Sequence, residues 1–194
     1  REGALGLSTG RVYAPSCYAD SEELLALLRV VREEGGYYAE HPRNEADTVE
    51  EARAESVRLA KLADVPLCVS HLKAAGRNNW GKPHRVLQMI DRAADSGQRL
   101  LIDSYPYMAG CTSLNVSIPP RYFTRGMPGL VEALQDPRER AVIRAELQHR
   151  SNYENYICDC GGFSGVFVSS CPVDHSAEGQ FVSEYAEKAG LDPF

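Results

Sequence analysis

The sequence predicts an α/β fold, a partial (β/α)8 TIM-like barrel with an α-rich insertion after residue 110. Three observations predict it. Short apolar runs that read as strands begin near residues 4, 37, 66 and 99, and one helical pattern separates each from the next. Alternating βα units of this kind build a parallel sheet. Their near-even repeat of about thirty residues suits an eight-unit barrel, typically about 250 residues long. A doubly wound sheet is the competing architecture, but no Gly-x-Gly-x-x-Gly follows a strand, so a dinucleotide site has no support.

The first strand lies in Gly3 to Ser8, and a loop rich in Gly, Pro and Tyr follows it. Asp20 or Ser21 caps a helix with Glu22 and Glu23 in its first turn, at the positive end of the dipole. Leu24, Leu25, Leu27, Leu28 and Val31 line one side, and Gly35-Gly36 end it. Tyr37 to His41 is the second strand. Asp47 or Thr48 begins a second helix with Val49, Ala52, Leu59 and Ala60 inward. The run Pro66 to His71 is short, apolar and β-branched, as in a strand buried on both faces. Pro83 suits the first turn of a third helix carrying Val86, Leu87, Ile90 and Ala93, and Arg99 to Ser104 is the fourth strand.

From Gly110 the rhythm breaks. Helices are expected near Pro128 to Gln135 and Pro137 to Arg150, strands at Tyr156 to Cys160 and Val166 to Ser170, and a helix from Ser176 or Ala177 to Ala189. The domain reading is therefore barrel units over 1–110, a helical insertion over 111–155 and a return to the barrel over 156–194. The chain opens on Arg1-Glu2-Gly3 without an initiator Met, and Asp192-Pro193 looks like the start of another helix. Four βα units do not close a barrel, so one piece of a longer protein is expected.

With 194 residues, 43% of them hydrophobic, the chain can bury a sizeable core. A formal net charge of -6 gives no support for a nucleic-acid or anionic-membrane partner. No apolar run is long enough to span a bilayer. The six cysteines are scattered rather than patterned, which reads as a reducing cytoplasm and not a disulfide framework.

The chemistry gathers at strand ends, where a barrel keeps its site. His41 and His71 each end a strand, one βα unit apart, which puts both imidazoles at one rim. Neutral imidazole is a zinc ligand, and a catalytic zinc takes three protein ligands and an open position. A shared metal and a pair of satisfied polar groups stand as equal readings from this pattern, and two ligands leave a third to be found. His84, His149 and His175 read as ordinary polar histidines.

Arg43 and Lys73 lie two residues beyond these histidines and could fix a substrate carboxylate, though solvated rim charges are the simpler reading. Lys73 could also form a Schiff base in an aldolase-type barrel. Glu40 points to the opposite face from His41 by strand alternation and reads as structural. Asp103 could support the site or cap a loop, and Tyr105 and Tyr107 could bind substrate or pack. Cys158-Asp159-Cys160 has no second pair at zinc-ribbon spacing.

Several segments together resemble one family. Gly3 to Gly10, Tyr37 to Glu45, Ser70-His71-Leu72-Lys73 with Asn79-Trp80-Gly81-Lys82, and Asp103 to Thr112 are similar, in order, to segments of the D-aminoacylases. These are N-acyl-D-amino-acid deacylases of the amidohydrolase superfamily. The resemblance covers roughly residues 3 to 115 and is looser beyond.

It implies a zinc-dependent barrel of the metal-dependent amidohydrolase type that hydrolyses the N-acyl amide of a small-molecule N-acyl-D-amino acid. His41 and His71 fall on the family's zinc histidines, Lys73 on a substrate-carboxylate lysine, and Tyr105 on a tyrosine of the same pocket. The remaining metal residues, a His-x-His pair and a cysteine, would precede residue 1, and the catalytic aspartate would follow Phe194. Cys111 stands where the family has a serine near the substrate carboxylate, and a thiol is the weaker donor. Glu40-His41-Pro42 replaces Thr-His-Met, and Pro42 removes a backbone donor. Two other readings stay open: a non-catalytic module with an incomplete metal site, and a different amidohydrolase acting on cyclic imides or dipeptides.

Overall fold

Four short strands order the first part of the computed structural model, which describes residues 3–150 and 152–194. Arg1 and Glu2, where the expected opening segment begins, lie outside the described residues. The strands are β1 (Gly6–Gly10), β2 (Tyr37–His41), β3 (Leu67–Val69) and β4 (Leu100–Ile102). They form one sheet in the order β1-β2-β3-β4, with every pair parallel. Between them run α1 (Ser21–Glu33), α2 (Val49–Ala63) and α3 (Lys82–Asp95). The α/β class and the parallel sheet are those expected.

Local chemistry explains the helix ends. The Asp20 carboxylate accepts from the amides of Glu22 and Glu23, which caps α1. Thr48 takes the N-cap position of α2, as expected, without a side-chain hydrogen bond. The Asn44 side-chain oxygen instead accepts from Ala46 N and Thr48 N, each at 2.9 Å, and so turns the chain toward that helix.

The helices cover one face of the sheet. Tyr38, Leu67 and Val69 point into a core with Leu24, Leu28, Val57, Leu59, Ala60, Val86 and Ile90. Register places Tyr38 beside Leu67 and Glu40 beside Val69, so these four share that face. The opposite face is more open. Ala39 and Cys68 are half-buried and Leu101 is 70% exposed, so β3 is not buried on both sides as its apolar run suggested. Leu27 and Leu87 are also exposed. Each lies about 80° round its helix from the midpoint of that helix's two buried residues, on the flank that turns to solvent.

A second unit runs from Leu114 to Phe194. It contains α4 (Gly126–Gln135), α5 (Pro137–Leu147), a single turn α6 (Tyr156–Asp159) and α7 (Val182–Ala189). Ile118, Leu130, Ile143, Leu147 and Ile157 form its core. The strand expected at Tyr156 to Cys160 is this helical turn. Asn155 accepts from Cys158 N and donates to Leu147 O and His149 O, so its side chain caps one turn while closing the end of the preceding helix. The strand expected at Val166 to Ser170 reduces to one antiparallel bridge, Phe167 with Phe181. The helix expected from Pro137 to Arg150 stops at Leu147, leaving His149 beyond it.

Because Leu67 is fully buried, Leu67→Ala is expected to lower stability by about 2–5 kcal/mol in chemical denaturation. Val30→Ala, on the exposed side of α1, is expected to change it by no more than about 0.5 kcal/mol. Equal losses at the two positions would contradict the assignment of the buried face.

Candidate metal centre

The parallel register brings the ends of β2 and β3 side by side, and His41 and His71 meet there. His41 Nδ1 and His71 Nε2 are 3.1 Å apart, with the rings edge to face at a centroid distance of 4.7 Å. His41 is the last residue of β2 on the open face. His71 reaches it by leaving the strand pattern, since its backbone is left-handed at φ 39°. That region is uncommon for a residue with a Cβ and costs on the order of 1 kcal/mol or more. Asp103, just past β4, helps to hold it: its carboxylate accepts from His71 N, and its carbonyl accepts from Leu72 N at 2.9 Å.

Below the two rings lies a buried ionic chain. Arg53 on α2, Glu40 on β2 and Glu45 in the loop after β2 all have fully buried side chains. Arg53 donates to Glu40 Oε1 at 2.5 Å, to Glu45 Oε1 at 3.0 Å and to Ser70 O at 3.1 Å. Glu40 thus faces the helices, as alternation requires. Burial pushes its carboxyl above the usual range, against the pull of Arg53. Burial pushes Glu45 up as well, but His71, His41 and Lys73 outweigh it and hold that carboxyl below its ordinary value.

Glu45 is the residue that strand-end reasoning missed. Its Oε1 lies 3.0 Å from His71 Nδ1, and its Oε2 lies 2.5 Å from Lys73 Nζ and 3.8 Å from His41 Nε2. Its one visible signal was its place at the end of the Tyr37 to Glu45 segment, four residues after His41. Tyr13 was missed too. Its ring packs against His41 at 5.3 Å, and its hydroxyl pairs with Thr112 Oγ1 at 3.1 Å.

The expected substrate residues divide. Lys73 joins the site, tied to Glu45 and placed 5.4 Å from the centre of the Tyr105 ring. Cys111 is exposed, next in sequence to the Thr112 that Tyr13 reaches. Arg43 turns toward the loop before α1. Its guanidinium donates to Glu55 Oε2 at 3.1 Å, to Cys17 O at 2.8 Å and to Ala19 O, which uses its fork to hold the loop before α1. His84 pairs with Gln88, and His175 with Glu178, each a local contact within three or four residues.

Among the described residues, His41, Glu45 and His71 form the one group able to gather around a metal ion, with ligand atoms within 4.8 Å of one another. The donor chemistry fits. Burial pushes the His41 imidazole down to about 4, so at neutral pH it is the neutral base that a metal requires. Two nitrogens on a tetrahedral ion with bonds of about 2.0–2.1 Å would sit roughly 3.3 Å apart, close to the spacing observed.

No family model matches the chain. A D-aminoacylase from Alcaligenes xylosoxydans xylosoxydans is 39% identical over 112 residues, 58% of this chain and 23% of that protein. An N-acyl-D-aspartate deacylase from the same organism is 37% identical over 115 residues, 59% of this chain and 23% of the relative. The structure of an N-acyl-D-glutamate deacylase from Bordetella bronchiseptica, complexed with zinc and a phosphonate inhibitor, superposes with a TM-score of 0.71 at 27% identity. That match covers 98% of this chain and 32% of the other. The chain is homologous to the D-aminoacylases. A D-aminoacylase structure described as defining a novel subset of amidohydrolases matches with a TM-score of 0.68 at 28% identity, over 98% of this chain and 31% of that one. The chain thus spans about a quarter of the curated D-aminoacylase relatives it matches and under a third of the solved D-aminoacylase.

Replacing Arg53 by Met would leave Glu40 and Glu45 buried beside a neutral group. The expected loss is about 3–5 kcal/mol in chemical denaturation. Arg85→Ala, which removes a solvent-facing pair with Glu50, is expected to cost less than about 1 kcal/mol. An Arg53 variant as stable as the Arg85 variant would contradict the ionic chain described here.

Proposed function

We propose that the protein containing this chain is a zinc-dependent amidohydrolase that cleaves the N-acyl amide of N-acyl-D-amino acids, releasing a carboxylic acid and the free D-amino acid. The observation that carries the reading is the convergence of His41 Nδ1 and His71 Nε2 at the ends of adjacent parallel strands. The D-aminoacylase relatives and the zinc-complexed structural neighbour support the substrate class and the metal.

His41 and His71 would hold the zinc, with further ligands from the rest of the protein. A zinc bound there supplies a water of lowered pKa and polarisation of the scissile carbonyl. An aspartate outside this chain is the proton carrier in this reading. Lys73 would orient the substrate carboxylate. Its ammonium has three donors; Glu45 takes one at 2.5 Å and the His71 carbonyl another at 3.3 Å, so one remains for an anion arriving beside Tyr105. Tyr105 and Cys111 complete the carboxylate pocket in this reading, with Cys111 giving a weaker contact than a hydroxyl would. Arg43 supports the loop before α1 rather than the substrate. Residues 111–155 are taken as an insertion and 156–194 as a return toward the barrel.

We place the protein in the cytoplasm. All six cysteines are free thiols, and among the described residues no helix is long and apolar enough to cross a membrane.

The full-length protein should hydrolyse N-acyl-D-amino acids in preference to the L-forms, lose that activity to a chelator and regain it with zinc. Chelator-resistant turnover, or none on any D-substrate, would contradict the proposal. Lys73→Ala is expected to lower kcat/KM by about 10- to 100-fold, mainly through KM, because a charge-assisted contact with the carboxylate is lost. An unchanged KM would remove Lys73 from that role.

A further inference from the structure

A metal centre depends on which ring nitrogen of each histidine carries the proton, and the structure holds one histidine by its far side. His71 has two nitrogens with different surroundings. Nε2 faces His41 Nδ1 at 3.1 Å, and Nδ1 faces Glu45 Oε1 at 3.0 Å and Lys73 Nζ at 2.9 Å. Donor and acceptor accounting separates the two neighbours of Nδ1. The Lys73 ammonium already has acceptors in Glu45 Oε2 at 2.5 Å and the His71 carbonyl at 3.3 Å. The buried Glu45 carboxylate only accepts. A proton on Nδ1 therefore satisfies Glu45 and, although Nδ1 then no longer accepts from Lys73, leaves that ammonium its two oxygen acceptors. A proton on Nε2 would instead occupy the space between the two imidazoles.

We infer that Glu45 is a positioning residue: it accepts the Nδ1–H of His71 and thereby presents the Nε2 lone pair beside His41 Nδ1, where the metal is held. This rests on the metal centre proposed above. Glu45 cannot wander, because Arg53 grips the same Oε1 at 3.0 Å while holding Glu40 at 2.5 Å and Ser70 O at 3.1 Å, one residue before His71. The carbonyl of Glu45 also accepts from Ala75 N at 2.6 Å, joining its loop to the segment after His71. The side chain and the backbone of Glu45 thus both fix where His71 sits. Carboxylates behind metal-bound histidines orient the ring and raise its basicity, and their loss typically weakens metal binding by 10- to 100-fold. Glu45 acts through His71 and is no ligand itself in this account, since its Oε1 is committed to Arg53 and His71 and its Oε2 to Lys73.

Zinc affinity of the full-length protein, measured by competition with a chromophoric chelator, tests the inference. Glu45→Ala should weaken zinc binding by about 10- to 100-fold, and Glu45→Gln should recover part of that loss, because a carboxamide oxygen still accepts a hydrogen bond but without charge assistance. Folded variants that bind zinc within threefold of the parent would overturn the role of Glu45. Histidine-detected 15N NMR of the zinc-loaded parent needs no substitution and decides the matter even where the variants fail to fold. His71 should carry its proton on Nδ1, and a proton on Nε2 would overturn the inference. A parent protein that binds no zinc would refute the metal centre itself, a result distinct from unchanged affinity in the variants.

Discussion

The structure around the site depends on one buried cation. Arg53 projects from α2 between Glu40 of β2 and Glu45 of the following loop, with all three side chains out of solvent. Charges are expensive to bury, and a set like this is tolerated only when every member has partners in good geometry. The guanidinium supplies those partners in a flat fork, which no lysine could do. It joins a helix, a strand and a loop, and its contact with Ser70 O adds the end of β3. The gain is positional more than energetic. An apolar replacement for the whole set could be as stable, but it would not fix a carboxylate under His71.

The second constraint is the backbone at His71. A strand alternates its side chains, so the residue after Ser70 would return to the helix-covered face. The left-handed turn breaks that alternation and lets His71 meet His41 across the open face. Asp103 clamps the turn through the His71 amide, and β4 carries Asp103 to that place by pairing with β3. Local strain held by contacts from neighbouring strands is how a rigid sheet can aim a side chain it would otherwise hide.

Much of this was readable from the chain. The strand starts and the order βαβαβαβ were legible because apolar runs and helical spacing are local signals. His41 and His71 were legible because both end strands one unit apart. Glu45 was not, because its role depends on a loop folding back under a strand it does not belong to. In a chain rich in Glu, a carboxylate just before a helix reads as a dipole partner. The contacts of Arg43 were hidden too: its position beyond His41 suggests a rim cation, and only the fold shows Glu55, Cys17 and Ala19 around its fork. Tyr156 to Cys160 misled because a short run with Tyr, Ile and Cys fits either a strand or one helical turn, and Asn155 decides between them.

The central claim is that His41 and His71 share a metal ion. Anomalous diffraction at the zinc edge from crystals of the zinc-loaded, full-length protein tests it most directly. The account predicts a strong peak bonded to both His41 Nδ1 and His71 Nε2. A zinc peak that touches neither nitrogen, or no peak in a fully loaded crystal, would contradict it.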